Sequence, residues 1–265
     1  MSKRPSYGDR FAARRMAENY AFRPPYSAEV YETLIGLFED RPKVLLDAGC
    51  GPGKIVLGLV DQVDRVDAID PLSEMLKVAR AAPKGESPKI RWICARSEDA
   101  PLLPPYGLIV AGANIHWMIL DRVLLRFGEA LAPHGFLVVL DGDAAIDAPW
   151  EKEADAFMID FVERLEGKRP NWWSKARQQL DGPILAHPKF NPVGAKITLP
   201  IMVSQSIADY LRCQHSRATW SEDHLGKEAA AQFDAGMSAI LEPHASDGLL
   251  RFAVQTRIEW GRIVQ

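Results

Sequence analysis

Val44-Leu45-Leu46-Asp47-Ala48-Gly49-Cys50-Gly51-Pro52-Gly53 decides the fold. Three apolar residues in a row suit a strand buried on both faces, which is the habit of a parallel sheet. Three glycines then allow a tight turn, and Ile55–Val60 continues at helical spacing. A glycine turn between a parallel strand and a helix lets backbone approach a ligand closely, with the N–H groups of the helix start presented to it. A nucleotide-like ligand is therefore expected. A phosphate-binding P-loop ending at Lys54 would need glycine where Ala48 stands and Ser or Thr where Ile55 stands. The dinucleotide fingerprint would need its third glycine at position 54, which is Lys54, so that reading is weakened.

Working outward, the pattern repeats. Apolar stretches at Val66–Asp70, Ile90–Cys94, Leu108–Ala111 and Phe136–Leu140 alternate with segments suited to helices, such as Pro71–Ala82 and Asp121–Ala132. Alternating strands and helices predict a doubly covered α/β sheet. Arg65-Val66-Asp67-Ala68-Ile69-Asp70 ends in a carboxylate placed to accept both hydroxyls of a ribose, which also disfavours a 2′-phosphate. Asp70 could equally cap a helix that starts at Pro71.

After Asp143 the rhythm stops. Trp150, Trp172 and Trp173 lie in a stretch broken by Pro and Gly, which reads as a helical insertion. Lys196–Ser204 and Arg251–Trp260 read as single strands, and Ile207–Cys213 and Lys227–Leu241 as helices. The expected organisation is an arm over residues 1–27, a cofactor-binding core over 28–143, an insertion or lid over 144–194, and a part completing the sheet over 195–265.

Composition narrows the classes. The 265 residues are 47% hydrophobic and 25% charged, as an ordinary globular chain is. With 32 Lys and Arg against 35 Asp and Glu, the net charge is −3, which gives no reason to expect nucleic acid as a partner. Three separated cysteines, Cys50, Cys94 and Cys213, suit neither a disulfide framework nor a zinc site, so a reducing, cytoplasmic setting and no metal are expected. Gly107–Leu120, the longest apolar stretch, is too short to cross a bilayer.

The glycine loop, together with Val66-Asp67-Ala68-Ile69-Asp70-Pro71-Leu72-Ser73-Glu74-Met75-Leu76, resembles the first two motifs of class I S-adenosylmethionine-dependent methyltransferases. Ala95-Arg96-Ser97-Glu98-Asp99-Ala100-Pro101-Leu102, Ala113-Asn114-Ile115-His116-Trp117 and Tyr20-Ala21-Phe22-Arg23-Pro24-Pro25-Tyr26 are similar in order and spacing to the small-molecule group that includes trans-aconitate methyltransferase. The resemblance implies a Rossmann-like seven-stranded, mostly parallel sheet with helices on both faces and a mainly helical lid after strand five. It implies S-adenosylmethionine as cofactor, with S-adenosylhomocysteine as product. Gly49, Cys50 and Gly51 would pass along the methionine part, with Asp47 and Gly53 also in the cofactor site, Asp70 would hold the ribose, and Met75 or Pro71 would flank the adenosine. Ser97 and Glu98 would lie at the adenine edge, Asn114, Ile115 and His116 beneath the sulfonium, and Arg23 on the methionyl carboxylate. Many relatives have Asp where Arg96 stands and at the start of strand four, where Gly107 stands.

His116 follows strand four at the mouth of the sheet, which makes it the first candidate for a base; His215 is the second. Tyr20, Tyr26, Trp117, Trp172, Trp173 and His215 are the expected acceptor pocket, with the Trp pair as its cover. The expected partner is a small organic acceptor methylated at oxygen, carbon or nitrogen, with no membrane and the chain a monomer or homodimer. A nicotinamide-dependent oxidoreductase and a catalytically inactive binder of the same cofactor are the alternatives.

Overall fold

A computed structural model describes residues 14–169 and 187–264 of the protein. Helix α1 (Arg14–Asn19) leads through a turn at Tyr20–Phe22 to α2 (Ala28–Gly36). The parallel strands β1 (Val44–Ala48), β2 (Arg65–Asp70), β3 (Ile90–Cys94), β4 (Tyr106–Gly112) and β5 (Leu131–Asp141) follow, with α3 (Lys54–Leu59), α4 (Ser73–Ala81) and α5 (Leu120–Ala130) among them. Burial on both faces explains their unbroken apolar character. Leu45, Leu108 and Val138 point to one side and pack with Val30, Leu34, Ile55 and Leu59. Their neighbours Leu46, Ile109 and Leu137 point to the other, against Val123, Leu124 and Phe127 of α5. Period-two alternation thus builds two cores from one sheet.

The later half carries α6 (Glu151–Glu166), β6 (Phe190–Ile197), β7 (Ile201–Ser206), α7 (Ile207–His215), α8 (Lys227–Leu241), β8 (Leu249–Val254) and β9 (Arg257–Ile263). The main sheet has seven strands in the order β3-β2-β1-β4-β5-β9-β6, and β9 runs antiparallel to both neighbours. Strand order reverses between β1 and β4. In an open sheet, that is where the loops part and leave a crevice.

Two sequence expectations need correction. Lys196–Ser204 and Arg251–Trp260 are each two strands: β6 and β9 complete the main sheet, whereas β7 and β8 form a separate two-stranded sheet. The long hairpin bends at Thr198, whose N–H donates to the Thr256 carbonyl at 2.9 Å and whose hydroxyl accepts from the Thr256 N–H at 2.9 Å. Pro200 has no N–H to continue the ladder there. The expected insertion boundary at 194 is also late, because β6 begins at Phe190.

Beyond the bend, β7, β8, α6, α7 and α8 share a third core around Trp150, Phe161, Trp220, Phe233 and Phe252. Trp220 stacks on Phe233 with ring centroids 4.8 Å apart. A fourth cluster seats Met16 and Ala17 of α1 on Met75 of α4, so the N-terminal arm lies beside the crevice. Gln205 donates to the Phe22 carbonyl at 2.5 Å, and the Arg212 guanidinium lies 3.9 Å from the Phe22 ring centroid. The arm is thereby tied to the third core as well.

Candidate active site

At the end of β1 the chain turns through Gly49, Gly51 and Gly53, all left-handed, with φ of 77°, 53° and 83°. The Gly49 and Cys50 N–H groups both donate to the Ile69 carbonyl at 2.8 Å. The Asp70 carboxylate accepts from Gly51 N–H at 2.9 Å and from Leu72 N–H at 2.8 Å. It is both a loop tie and a potential ligand site, since two bonds leave about half of a carboxylate's lone-pair capacity. Burial pushes its pKa up to about 6 against the pull of those two bonds. From the other side, Asn114 Nδ2 donates to the Ala48 and Gly49 carbonyls at 2.8 and 2.7 Å. A Cβ on Gly49 would stand 2.3 Å from that nitrogen, so only glycine lets Asn114 in. Asn114 Oδ1 is buried without a partner.

Under the loop lies Asp47, 1% exposed, with neither carboxylate oxygen hydrogen-bonded. Burial, and then the nearby Asp70 charge, pushes its pKa up to about 8. An unpaired buried carboxyl of this kind is costly to ionise and favours a nearby cation.

Two cavities open beyond the loop. The first, about 270 Å³, is walled by Tyr20, Arg23, Gly49, Gly51, Asp70, Pro71, Leu72, Met75, Asn114 and Trp117 among others. The second, about 570 Å³, lies toward the third core, with Trp150, Met158, Tyr210, Cys213 and Phe252 in its wall. His116, Asp143, Arg217 and Thr219 border both.

Asp143 sits between two arginines. Its Oδ1 is 3.0 Å from Arg217 Nη2 and its Oδ2 is 3.3 Å from Arg23 Nη1. Burial would raise this carboxyl, but Arg217 and Arg23 outweigh it and hold the pKa well below the usual carboxylate range. The preceding Gly142, at φ 100°, fits where a Cβ would stand 2.4 Å from the Gln255 carbonyl. The hairpin bend therefore helps to place Asp143. Lys54 at the start of α3 donates to the Arg23 and Pro24 carbonyls at 2.8 and 2.9 Å, and burial pushes its pKa down to about 8. His116, on the turn Ile115–Trp117, is open to the cavities and 5.0 Å from the Trp117 ring. Surrounding protein lowers its pKa, and Asp141 pulls the other way.

Of the residues expected to hold cofactor, Arg23, Gly49, Gly51, Asp70, Pro71, Met75, Asn114 and His116 line the first cavity. Asp47, Cys50, Gly53, Ser97, Glu98 and Ile115 do not. Cys50 and Ile115 turn into the two sheet cores, and a Cβ on Gly53 would stand 2.9 Å from Trp92. Glu98 accepts from Ile119 N–H at 2.9 Å and pairs with Arg96 at 3.5 Å, while Ser97 is buried beside it. Arg23 is largely committed: Nε and Nη2 donate to the Ser216 hydroxyl and carbonyl at 2.7 and 3.0 Å, and Nη1 to the Tyr20 hydroxyl at 3.0 Å.

The expected acceptor pocket changes more. Tyr20 and Trp117 border the first cavity, and Tyr26 a small recess beside Gly112. Trp172 and Trp173 lie outside the described residues. His215 is a correction: it is 6% exposed, with Nδ1 2.5 Å from the Trp220 carbonyl and Nε2 2.8 Å from Asp234. It braces the third core. The second cavity is instead bordered by Trp150, Met158, Tyr210 and Arg217 among others; the sequence places Trp150 among the aromatics that could line an acceptor pocket, and nothing in it singles out Met158 or Arg217. Asp143 was within reach, because it lies just past the end of β5, in the loop at the same sheet edge as Asp70, which closes β2.

Residues 45–135 match a family model described as a methyltransferase domain. That part of the chain is similar to methyltransferase domains. A probable S-adenosylmethionine-dependent methyltransferase of Saccharomyces cerevisiae, CRG1, is 29% identical over 157 residues, 58% of this chain and 50% of that protein. The chain thus spans about half the length of that curated relative. The fold is shared with a putative type II methyltransferase from Anaeromyxobacter dehalogenans, at a TM-score of 0.62 and 22% identity, covering 91% of this chain and 98% of the other. An S-adenosylmethionine-dependent methyltransferase from Thiobacillus denitrificans, solved with S-adenosylhomocysteine, gives a TM-score of 0.52 at 13% identity, covering 94% and 97%. Among the described residues no helix is long and apolar enough to cross a membrane, and no cluster of metal-ligating side chains occurs.

Proposed function

We propose that this chain transfers a methyl group from S-adenosylmethionine to a small organic acceptor at oxygen, carbon or nitrogen. The observation that carries this reading is the pair of cavities meeting at His116, Asp143, Arg217 and Thr219, the first of them built on the glycine loop and Asp70. Displacement in line needs the donor carbon and the nucleophile held on one axis, and a shared wall between two chambers supplies that alignment. When bound, S-adenosylmethionine supplies a methyl carbon activated by a sulfonium.

The rest is the work of this chain's residues. Asp70 accepts the ribose hydroxyls, Pro71 and Met75 flank the adenosine, and Asn114 Oδ1 accepts from the ammonium group. Asp47 places carboxylate character beneath the same end. The arm Arg14–Phe22 covers the first chamber and reduces water at the reacting centre. Trp150, Met158, Tyr210 and Phe252 favour a partly hydrophobic acceptor, and about 570 Å³ suits a metabolite-sized one. His116 takes the proton when the acceptor is a hydroxyl or amine.

Differential scanning of thermal stability tests the cofactor. S-adenosylhomocysteine at about a hundred times its Kd should stabilise the fold by about 2.7 kcal/mol, and NAD should not. Stabilisation by NAD alone would reject the reading. Mass spectrometry of metabolite pools incubated with methyl-labelled donor then identifies the acceptor by label gain.

A further inference from the structure

We infer that Arg217, beside Arg23, is the counter-ion for the amino-acid carboxylate of the cofactor. The inference rests on the cofactor proposed above. Resemblance alone gives that carboxylate to Arg23, yet Arg23 already donates to Ser216 twice, to Tyr20 and toward Asp143. A guanidinium has five N–H donors, so Arg23 keeps about one, too few for the two parallel bonds of a lone clamp.

Arg217 enters the same cavity wall from the third core. Its Nη1 donates to the Cys213 carbonyl at 3.2 Å and to Gln214 Oε1 at 3.1 Å, and its Nη2 to Asp143. Among the described residues nothing hydrogen-bonds its Nε. Each arginine therefore retains a donor, and together they set two fixed positive charges against the single negative charge of Asp143. Partial removal from water strengthens the pull of that surplus on an anion.

Two anions could claim it: the carboxylate of the cofactor, or one on the acceptor. The second cavity is bordered by Arg217 but not by Arg23, with Glu151 and Asp155 also in its wall. The first cavity is bordered by both arginines and by the glycine loop, with Asp70, Asp141 and Asp143 also in its wall. The two arginines thus meet only at the cavity where the cofactor would lie.

The test compares S-adenosylhomocysteine with its decarboxylated analogue, which keeps the amine and lacks only the carboxylate, by calorimetry on the full chain. Wild-type protein should prefer the intact compound by about tenfold or more, and Arg217→Gln should weaken it by about ten- to a hundredfold while changing the analogue by no more than about twofold. Equal losses for both compounds would make Arg217 a purely structural residue and overturn the inference; so would an unchanged affinity for S-adenosylhomocysteine. Should Arg217→Gln not fold, Arg217→Lys keeps the charge but not the fork and should lose affinity for the intact compound alone. Equal wild-type affinity for the two compounds overturns the inference without any variant. If wild type binds neither, the cofactor reading itself fails, which is a separate result.

Discussion

Replacing Gly49 with alanine should break the loop through Asn114 more than through the glycine itself. Holding an L-residue at φ 77° costs about 1 kcal/mol. The new Cβ would stand 2.3 Å from Asn114 Nδ2 and 2.8 Å from its Cγ, so the amide must leave. Its two bonds to the Ala48 and Gly49 carbonyls, each worth about 1 kcal/mol, go with it. The total is about 3 kcal/mol, divided between unfolding stability and cofactor affinity. Asn114→Ala alone should cost about 2 kcal/mol, and the double variant about 3, because the clash has already been relieved. Denaturant unfolding and calorimetry with S-adenosylhomocysteine, summed across the four proteins, give the coupling. Losses that add to about 5 kcal/mol in the double variant would refute the steric argument, as would a Gly49→Ala protein within about 1 kcal/mol of wild type.

Asp47 makes stability depend on pH in an identifiable direction. An acid with a folded pKa of about 8, against about 4 unfolded, binds more protons when folded. Its contribution therefore falls as pH climbs from about 4 through about 8. Asp47→Asn should remove a slope worth on the order of a few kcal/mol in ligand-free protein, and parallel unfolding curves for the two proteins over that range would contradict the assignment. His215→Ala should cost about 2–3 kcal/mol in unfolding free energy and leave S-adenosylhomocysteine affinity alone; loss of methyl transfer with intact stability would return His215 to the site. Met158→Trp should fill the second chamber, cutting turnover of an identified acceptor by more than about tenfold while cofactor affinity stays within about twofold. Reduced affinity for S-adenosylhomocysteine instead would place Met158 on the other chamber.

How much of this was legible in the chain follows from the range of each interaction. The first half is written locally: Leu45 and Leu46 point to opposite cores because strand side chains alternate, and the glycines must turn because they precede a helix. Hence Ile90–Cys94 is read at its observed bounds, and Gly49, Gly51 and Asp70 are found at the crevice from the order of strands and loops alone. Where the period was the same on both sides of a bend, as at Thr198 and Thr256, the sequence offered no break except Pro200, and one strand was read in place of two.

Tertiary structure decided the rest. Asp143 meets Arg23 and Arg217 from three separate parts of the chain, and its position depends on Gly142 fitting against Gln255. Glu98 and His215 carry the right chemistry for a site, but spend it on Ile119 and Arg96 in one case and on Trp220 and Asp234 in the other. Residue type fixes what a side chain can donate or accept; only packing among distant segments determines which partner reaches it first. That is why the glycine loop could be read from its own residues, while the wall between the two cavities could not.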